Sequence, residues 1–363
     1  MGRWKVGSLT AAIGCIALGV IIALAQYDKV TYAALGYLWP ALLIVFGVEM
    51  LGRLVFRSDV KSRVSGWAIV LILLITAASA GQSLLSGGSL SSLLGNMKLA
   101  PLSGTQEVKS DIKAVKISIP NGKVKINGVS GSSLDYEGSL LVPGSTQSEA
   151  ESALEKKWKV TTEGDTLVMT LDVETNWLSS LQFGFYSESP HLNVSVPQDL
   201  AVEIDTSDGS IEALELQSGL TAETSNGTMD LHDIAGGVKA HSSNGTLTAK
   251  NIQGGVELVS SNGAITLDNI DGSLSAKSSN GKITINSAIT GNWKCTSSNG
   301  KVILGLPAGT DARVTADTSN GSLNGNVPWE RDGDNHGTAV LGEGTHTVDV
   351  STSNGSVTVN VAE

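Results

Sequence analysis

Hydrophobic positions in the C-terminal two thirds of the chain recur with a period of about 18 residues. The positions two, four and seven residues after each repeat's glycine are mostly apolar, as are those eleven and thirteen residues after it. Apolar residues that flank one polar residue have the period-2 pattern of a half-buried strand. Each repeat therefore predicts two short strands that share one interior. The repeating glycines are Gly209, Gly227, Gly245, Gly263, Gly281, Gly300, Gly321 and Gly355.

One repeat has no second layer to cover its apolar side chains, so the repeats must stack as coils about 4.8 Å apart, with parallel strand pairing. In the fifth coil one extra residue moves the second strand to Trp293 and Cys295. This shift places Cys295 in the same inward column as the small residues Ala240 and Ala276. We therefore interpret Cys295 as a core residue and not as a nucleophile.

The Asn-Gly step of each repeat predicts a corner, because asparagine tolerates the left-handed backbone region and glycine meets no steric penalty there. Stacking would align the corner residues into a ladder of side-chain amides. A ligand could also bind such columns, but the ladder explains them without a ligand, and we favour it. The predicted ladder consists of Asn226, Asn244, Asn262, Asn280 and Asn299 with Gly227, Gly245, Gly263, Gly281 and Gly300. A second polar column consists of Ser225, Ser243, Ser261, Ser279 and Ser298.

Three N-terminal stretches are apolar throughout and lack the polar face of a helix in a soluble domain. Residues 6–26, 33–52 and 66–85 are each long enough, at about 20 residues, to cross roughly 30 Å of hydrocarbon. Basic residues precede the first stretch and fill the loop at 53–63, whereas the first loop offers one acid and one lysine. The positive-inside bias then places the N-terminus in the cytoplasm and everything after residue 85 outside it. This pattern predicts a multi-pass protein of the cell membrane.

The fold class predicted for the chain is an all-β extracytoplasmic β-solenoid of stacked 18-residue coils, preceded by three transmembrane α-helices. The regular spacing breaks near Pro328 and resumes before Gly355, which predicts a hairpin that caps the open end of the stack. The predicted organisation is a membrane domain at 1–86, a Ser/Gly-rich linker at 87–110, an N-terminal β region at 111–205 with a short surface helix at 146–158, regular coils at 206–321, and a cap with the last coil at 322–363.

Charge disfavours a nucleic-acid partner. The first 100 residues contain eight basic and three acidic residues, so with a net charge of −11 for the whole chain the remainder carries −16. Such a surface is repelled by the phosphates of nucleic acid. The two cysteines, Cys15 and Cys295, lie in different kinds of segment and predict neither a disulfide nor a metal site.

No catalytic, cofactor-binding or metal-binding residues are predicted, and no cofactor is expected. An enzymatic β-helix would cluster carboxylates at separations suited to acid–base chemistry. Here the outward acids are scattered over several coils, and the histidines lack the spacing of metal ligands. The acids considered are Glu212, Glu215, Asp230, Asp233 and Asp268, and the histidines are His191, His232, His241, His336 and His346.

The ordered recurrence of these motifs resembles the toast-rack β-strand-repeat domain of bacterial proteins assigned as adhesins. The resemblance covers roughly 111–363 and rests on the Ser-Asn-Gly coils, the runs 194–197 and 202–211, and the sequence 342–346. The apolar run 37–47 is similar to the LiaF-type membrane segment of Gram-positive envelope-stress proteins. These resemblances imply an envelope protein that responds to surface stress or organises surface contacts, without catalytic residues.

Two functional hypotheses remain open at this point. We favour a non-enzymatic role in sensing or regulating cell-envelope stress, because a single span would suffice for a tether. The predicted cytoplasmic parts are short, so a signal must pass through a second membrane protein in the lipid bilayer. The alternative is an adhesive or structural envelope module that binds an envelope or surface ligand, and a carbohydrate-active β-helix enzyme is a remote third hypothesis.

Overall fold

The computed structural model describes residues 97–173 and 189–362. These residues lie in a unit that begins at Met97. Within the two described ranges, no helix has both the length and the apolar character needed to cross a bilayer. The three predicted spans at 6–26, 33–52 and 66–85 lie outside the described residues.

The described residues form one short helix and twenty-five strands, most of which alternate buried and exposed side chains. The helix is α1 (Gln147–Lys157). The strands are β1 (Met97–Glu107), β2 (Ala114–Asn121), β3 (Lys123–Val129), β4 (Ser133–Pro143), β5 (Trp158–Glu163), β6 (Thr166–Leu171), β7 (His191–Pro197), β8 (Ala201–Asp208), β9 (Ile211–Leu214), β10 (Leu220–Thr224), β11 (Met229–Ile234), β12 (Val238–Ser242), β13 (Leu247–Gln253), β14 (Val256–Ser260), β15 (Ile265–Asp271), β16 (Leu274–Ser278), β17 (Ile283–Asn286), β18 (Trp293–Ser297), β19 (Val302–Leu306), β20 (Ala312–Thr318), β21 (Leu323–Gly325), β22 (Glu330–Asp332), β23 (His336–Leu341), β24 (His346–Thr352) and β25 (Val357–Val361).

Two sheets enclose a single apolar core. The first sheet has the order β1-β4-β7-β3-β9-β11-β13-β15-β17-β19-β25-β21, and the second has the order β22-β23-β20-β24-β18-β16-β14-β12-β10-β8-β2-β6-β5. Each regular coil contributes one strand to each sheet, and neighbouring coils pair in parallel. The described residues therefore form the all-β repeat fold that the hydrophobic pattern predicts, and it fits a β-solenoid.

The apolar columns superimpose from coil to coil. Leu247 pairs with Ile265, which pairs with Ile283, and all three side chains are fully buried. Burying an aliphatic side chain of this size stabilises the fold by roughly 1.5–3 kcal/mol. The repeat pattern predicts that Ala288, seven residues after Gly281, points inward, and this is wrong. Ala288 is exposed and Ile289 is buried in its place, because the extra residue of the fifth coil precedes the inward position.

The N-terminal end of the stack contains a strand that the sequence analysis assigned to the linker at 87–110. Strand β1 pairs antiparallel with β4 over its whole length, from Met97 to Glu107. Its core-facing positions include Ala100, which is fully buried, and Gly104. A Cβ at Gly104 would lie 2.3 Å from the Tyr136 hydroxyl oxygen, so a larger residue there would require the Tyr136 ring to move. Because its inward residues are small, strand β1 has the composition of a Ser/Gly-rich linker.

Helix α1 packs against the same end of the core. Its N-cap residue, Thr146, accepts a hydrogen bond from the Glu149 backbone N–H at 3.2 Å, which satisfies a free amide of the first turn. Ala150 and Leu154 are buried, and the helix packs against β1, β4, β5 and β6. The helix therefore covers apolar groups that the last coil at this end would otherwise expose.

The order of the coils along the stack differs from their order in the sequence at both ends. From the N-terminal end, the coils are β6–β7, β2–β3, β8–β9, β10–β11, β12–β13, β14–β15, β16–β17, β18–β19, β24–β25 and β20–β21. The coil at 346–361 thus lies inside the stack, and the coil at 312–325 with hairpin β22–β23 lies beyond it. The sequence analysis grouped the coil at 346–361 with the cap at 322–363. Inward periodicity sets which face of a strand is buried, but it leaves the order of similar coils open.

Candidate functional site

The corner asparagines form one continuous side-chain ladder along the stack. Each asparagine Nδ2 donates to the Oδ1 of the residue in the preceding coil, at 2.6–2.8 Å. The side chains are exposed, so the ladder runs along the outer edge of the corner. Its members, in stacking order, are Asp208, Asn226, Asn244, Asn262, Asn280, Asn299, Asn354 and Asn320.

The ladder has a polarity that explains its single acid. Asp208 begins the ladder and only accepts, from Asn226 at 2.6 Å. A carboxylate fits that position because it offers acceptors alone. Each interior member must both donate and accept, and Asn262 does so toward Asn244 at 2.8 Å and from Asn280 at 2.7 Å. An amide is therefore required at every interior position.

This polarity predicts opposite outcomes for two exchanges of the same pair of residues. Asn262→Asp replaces a donor by an oxygen that faces the Asn244 Oδ1, so we expect a loss of about 1–2 kcal/mol in unfolding free energy at pH 7. Asp208→Asn keeps the required acceptor and should stay within about 0.5 kcal/mol of the parent. Thermal unfolding, with hydrogen exchange in the neighbouring coils, measures both variants. Below about pH 4 the introduced carboxyl carries a proton and can donate again, so the deficit should shrink. Equal effects of the two exchanges at pH 7 would contradict the polarity.

The glycine column is required by close contact between coils and not by backbone conformation. A Cβ at Gly263 would lie 1.7 Å from the carbonyl oxygen of Gly245, and one at Gly281 would lie 1.8 Å from that of Gly263. None of the predicted ladder residues has a φ in the left-handed region. The left-handed explanation that the sequence analysis gave for the Asn-Gly corner is therefore wrong. Glycine is needed there because the neighbouring backbone occupies the space of a side chain.

A column of buried hydroxyl groups, which the sequence analysis missed, supports these glycines from inside the corner. The Ser260 Oγ donates to the carbonyl oxygen of Gly245 at 3.2 Å and accepts from the backbone N–H of Gly263 at 2.9 Å. The predicted column one residue later is exposed or partly exposed. A Ser or Thr three residues before each glycine was the available signal. The buried members are Thr206, whose Oγ1 makes no hydrogen bond, and Thr224, Ser242, Ser260, Ser278, Ser297, Thr318 and Thr352.

A second and shorter ladder lies near the C-terminal ends of strands β11, β13 and β15 of the first sheet. Asn251 Nδ2 donates to the Asp233 Oδ1 at 2.7 Å, and Asn269 Nδ2 donates to the Asn251 Oδ1 at 2.9 Å. This ladder also begins with an acid. Glu215, Asp233, Asn251 and Asn269 have φ values of 54–59°, so the left-handed region is used here. Acidic or amide residues six positions after successive glycines were the signal in the sequence.

The outward charges are distributed among separate pairs. Hydrogen bonds from Lys123 and then Lys125 hold the pKa of Glu212 below its usual value, at N–O distances of 2.5 and 2.8 Å. Asp230 lies 2.5 Å from the Nε2 of His232. Among the described residues, no three His, Cys, Asp or Glu side chains are grouped closely enough to hold a metal ion. The outer surface therefore offers separate charges to solvent.

Cys295 is fully buried, with Ala276 and Val350 as its cross-strand neighbours in the second sheet. Burial raises the pKa of its thiol to about 12. The thiol therefore stays protonated at neutral pH, which suits a core residue and not a nucleophile.

A shallow groove of about 660 Å³ crosses the start of several strands of the second sheet. Backbone and aliphatic groups line most of it, together with Glu203, Lys239 and Glu257. Lys239 lies 3.4 Å from Glu257, and the backbone N–H of Val238 donates to the carbonyl oxygen of Gly255 at 2.9 Å. Lys239, Glu257 and these two backbone groups are thus already paired with one another.

The family model for the Toastrack DUF4097 domain matches residues 145–360. This match covers more than half of the chain and includes the stacked coils other than β2–β3. The chain belongs to the Toastrack DUF4097 family. A second family model, the LiaF transmembrane domain, matches residues 10–94 of this Toastrack protein. The two matches together describe a membrane-anchored protein associated with the cell envelope.

Solved structures similar to this Toastrack chain include those of three bacterial proteins. One, assigned as a cell adhesion protein of Clostridium sporogenes ATCC 15579, is 13% identical with a TM-score of 0.24, and the match covers 72% of this chain and 100% of the other. An assigned adhesin of Bacteroides fragilis NCTC 9343 is 11% identical with a TM-score of 0.25, covering 72% and 97%. An assigned lipid-binding protein of Parabacteroides distasonis ATCC 8503 is 14% identical with a TM-score of 0.37, covering 73% and 97%. No curated protein matches the chain.

Proposed function

We propose that this protein is a non-enzymatic sensor or regulator of cell-envelope stress, with its solenoid outside the cytoplasm and three spans in the membrane. The observation that carries the proposal is the joining of a LiaF transmembrane domain at 10–94 to a Toastrack domain at 145–360 in one chain. The spans relay the state of the solenoid to a second membrane protein. The N-terminus faces the cytoplasm in this proposal, as the distribution of basic residues favours.

The arrangement of the polar groups supports a role as a rigid scaffold. The corner amides, and all of the buried hydroxyls except that of Thr206, bond to a neighbouring coil along the stack. Outward positions, in contrast, vary from coil to coil: Glu203, Thr221 and Lys239 follow one another in one column of the second sheet. These outward side chains would therefore select a partner or envelope ligand. The corners and the core hold them in fixed positions.

Replacing the membrane segment tests the sensor hypothesis directly. A chimera that carries residues 97–363 on one unrelated single-span anchor keeps the solenoid at the membrane but removes the three spans. We expect it to lose the response of an envelope-stress reporter to a cell-wall inhibitor, because the contact with the partner is gone. The parent chain expressed to the same membrane level is the positive control, and the anchor without the solenoid is the negative control.

An unchanged reporter response in the chimera would contradict signalling through the spans. That result would favour the alternative, a tethered adhesive or structural module. The same chimera then separates the two functions, since adhesion should be retained on any anchor that displays the solenoid at the surface.

A further inference from the structure

The edge strands at the two ends of the stack differ in length, in charge and in how their backbone groups are capped. At the C-terminal end, the first sheet ends in β21, which has three residues. The Arg331 guanidinium donates to the Leu323 carbonyl oxygen at 3.0 Å, and the Trp329 Nε1 donates to that of Asn324 at 3.4 Å. The second sheet ends here in β22, three exposed residues of which two are acids and one is an arginine. Short, charged and side-chain-capped edges resist the addition of a further strand.

At the N-terminal end, the first sheet ends in β1, which has eleven residues. The Val108 N–H just after β1 donates to the Ser132 carbonyl oxygen at 2.8 Å, on the β4 side. The Leu99 carbonyl oxygen accepts instead from the Gln147 Nε2 of α1 at 3.2 Å. Since backbone groups alternate in direction along a strand, the even-numbered residues bond to β4 and the odd-numbered residues face away from it.

The outward-facing backbone of β1 has free hydrogen-bonding capacity within the described residues. Helix α1 covers the edge at Leu99, whereas Pro101, Ser103, Thr105 and Glu107 are exposed. Proline has no N–H to leave unpaired at an edge position. The Glu107 carbonyl oxygen already accepts from the Gln106 Nε2 at 3.2 Å. The open edge therefore consists of the N–H groups of three residues and the carbonyl groups of three.

We propose that the β1 edge at 101–107 pairs antiparallel with the same edge of a second copy of this chain, about a two-fold axis at Gly104. In this register Ser103 lies opposite Thr105 of the second copy, and Pro101 lies opposite Glu107. Six backbone hydrogen bonds form across the axis. The one donor that proline lacks would face the Glu107 carbonyl oxygen, which Gln106 already satisfies. Shifting the pairing by two residues so that Pro101 lies opposite Thr105 would instead leave the Thr105 carbonyl oxygen without a donor.

The side chains at this edge favour a second copy as the occupant. The Thr105 hydroxyl donates to the Asp135 Oδ1 at 2.6 Å within the chain, so across the axis it can accept from the Ser103 hydroxyl of the second copy. Hydroxyl pairs of this kind stabilise antiparallel strands. No like charges lie opposite one another in this register, since Glu107 faces Pro101. The membrane association given by the LiaF domain match also confines two copies to one surface, which raises their effective concentration. The inference is independent of stress sensing.

Cysteine cross-linking of the full chain in its native membrane tests the pairing. Cys15→Ser leaves Cys295 as the single native cysteine, and Cys295 is fully buried. In this background Ser103→Cys with Thr105→Cys places two thiols opposite each other, at about 5.5 Å between Cα atoms in a hydrogen-bonded pair, which is within disulfide range. We expect mild oxidation to give a product of twice the 37.4 kDa chain mass, whereas either cysteine alone should give little.

A backbone variant supplies the matched control. Ser103→Pro removes an outward N–H without touching the β1–β4 ladder. In the otherwise unchanged chain it should reduce the dimer yield of a bifunctional lysine-reactive cross-linker about fivefold or more. Ser103→Ala keeps the backbone donor and should cross-link like the parent. The proposal is overturned if the double-cysteine variant yields no more dimer than the single variants, if the two Ser103 variants behave alike, or if the product contains a different protein.

Discussion

Gly263→Ala is expected to destabilise the solenoid by at least about 3 kcal/mol and to disrupt the coils on both sides of the substitution. The added Cβ would lie 1.7 Å from the Gly245 carbonyl oxygen and 2.8 Å from the Ser260 Oγ. The backbone at Gly245 cannot move away without lengthening the hydrogen bonds that join neighbouring coils. Thermal unfolding reports the loss, and hydrogen exchange in β13 and β15 locates it.

Gly219→Ala is the matched control for this prediction. Gly219 lies at another corner of the coil, where a Cβ would meet the Gly237 carbonyl oxygen at 3.4 Å, an ordinary contact. Its φ is outside the left-handed region, so alanine is compatible with the backbone. We expect a change within about 0.5–1 kcal/mol, with stabilisation as the favoured sign because alanine restricts the unfolded chain. Similar losses for both variants would show that glycine is required for some reason other than the close contact.

The coil architecture could be predicted from the sequence because burial imposes a repeated pattern on the chain. Leu247, Ile265 and Ile283 occupy equivalent positions, and stacking is the arrangement that covers all of them. Their register follows from the period of the repeat, since one coil of the same length lies on the next. Strand β1 was not predicted, because its inward positions carry residues as small as Ala100 and Gly104 and so lack the repeated pattern of large apolar residues.

The corner could be predicted only in part. The sequence identifies which residues align, but both left-handed φ and close backbone approach select glycine, and the sequence alone does not distinguish them. The distance from Gly263 to the neighbouring carbonyl oxygen decides the matter. The hydroxyl of Ser260 was missed because a serine within an alternating strand usually indicates an outward position. Here it lies inside the corner and bonds to two glycines.

Removal of residues 342–363 is expected to disorder more of the chain than the coil that it deletes. Strand β20 has β24 as its parallel partner, so the truncated chain loses the coil that joins β20 to the rest of the stack. The deletion also removes four buried valines, for a loss on the order of 6 kcal/mol or more. The deleted valines are Val348, Val350, Val357 and Val359. Hydrogen exchange should show that the amides of 312–318 lose protection while those of β14 and β16 keep it.

Direct docking of β20 and β21 onto β18 and β19 would be the competing outcome, with protection at 312–318 preserved. The structure argues against it, because β21 has three residues where β25 has five, and Gly325 would take the place of Val359 above Leu304. That replacement leaves a cavity over a fully buried leucine. Thr358→Ala, an outward change in the coil that the truncation removes, serves as the control and should leave exchange at 312–318 unaltered. Because a chain stacked in sequence order would lose only its last coil, the exchange pattern tests the insertion of the C-terminal coil separately from its stability.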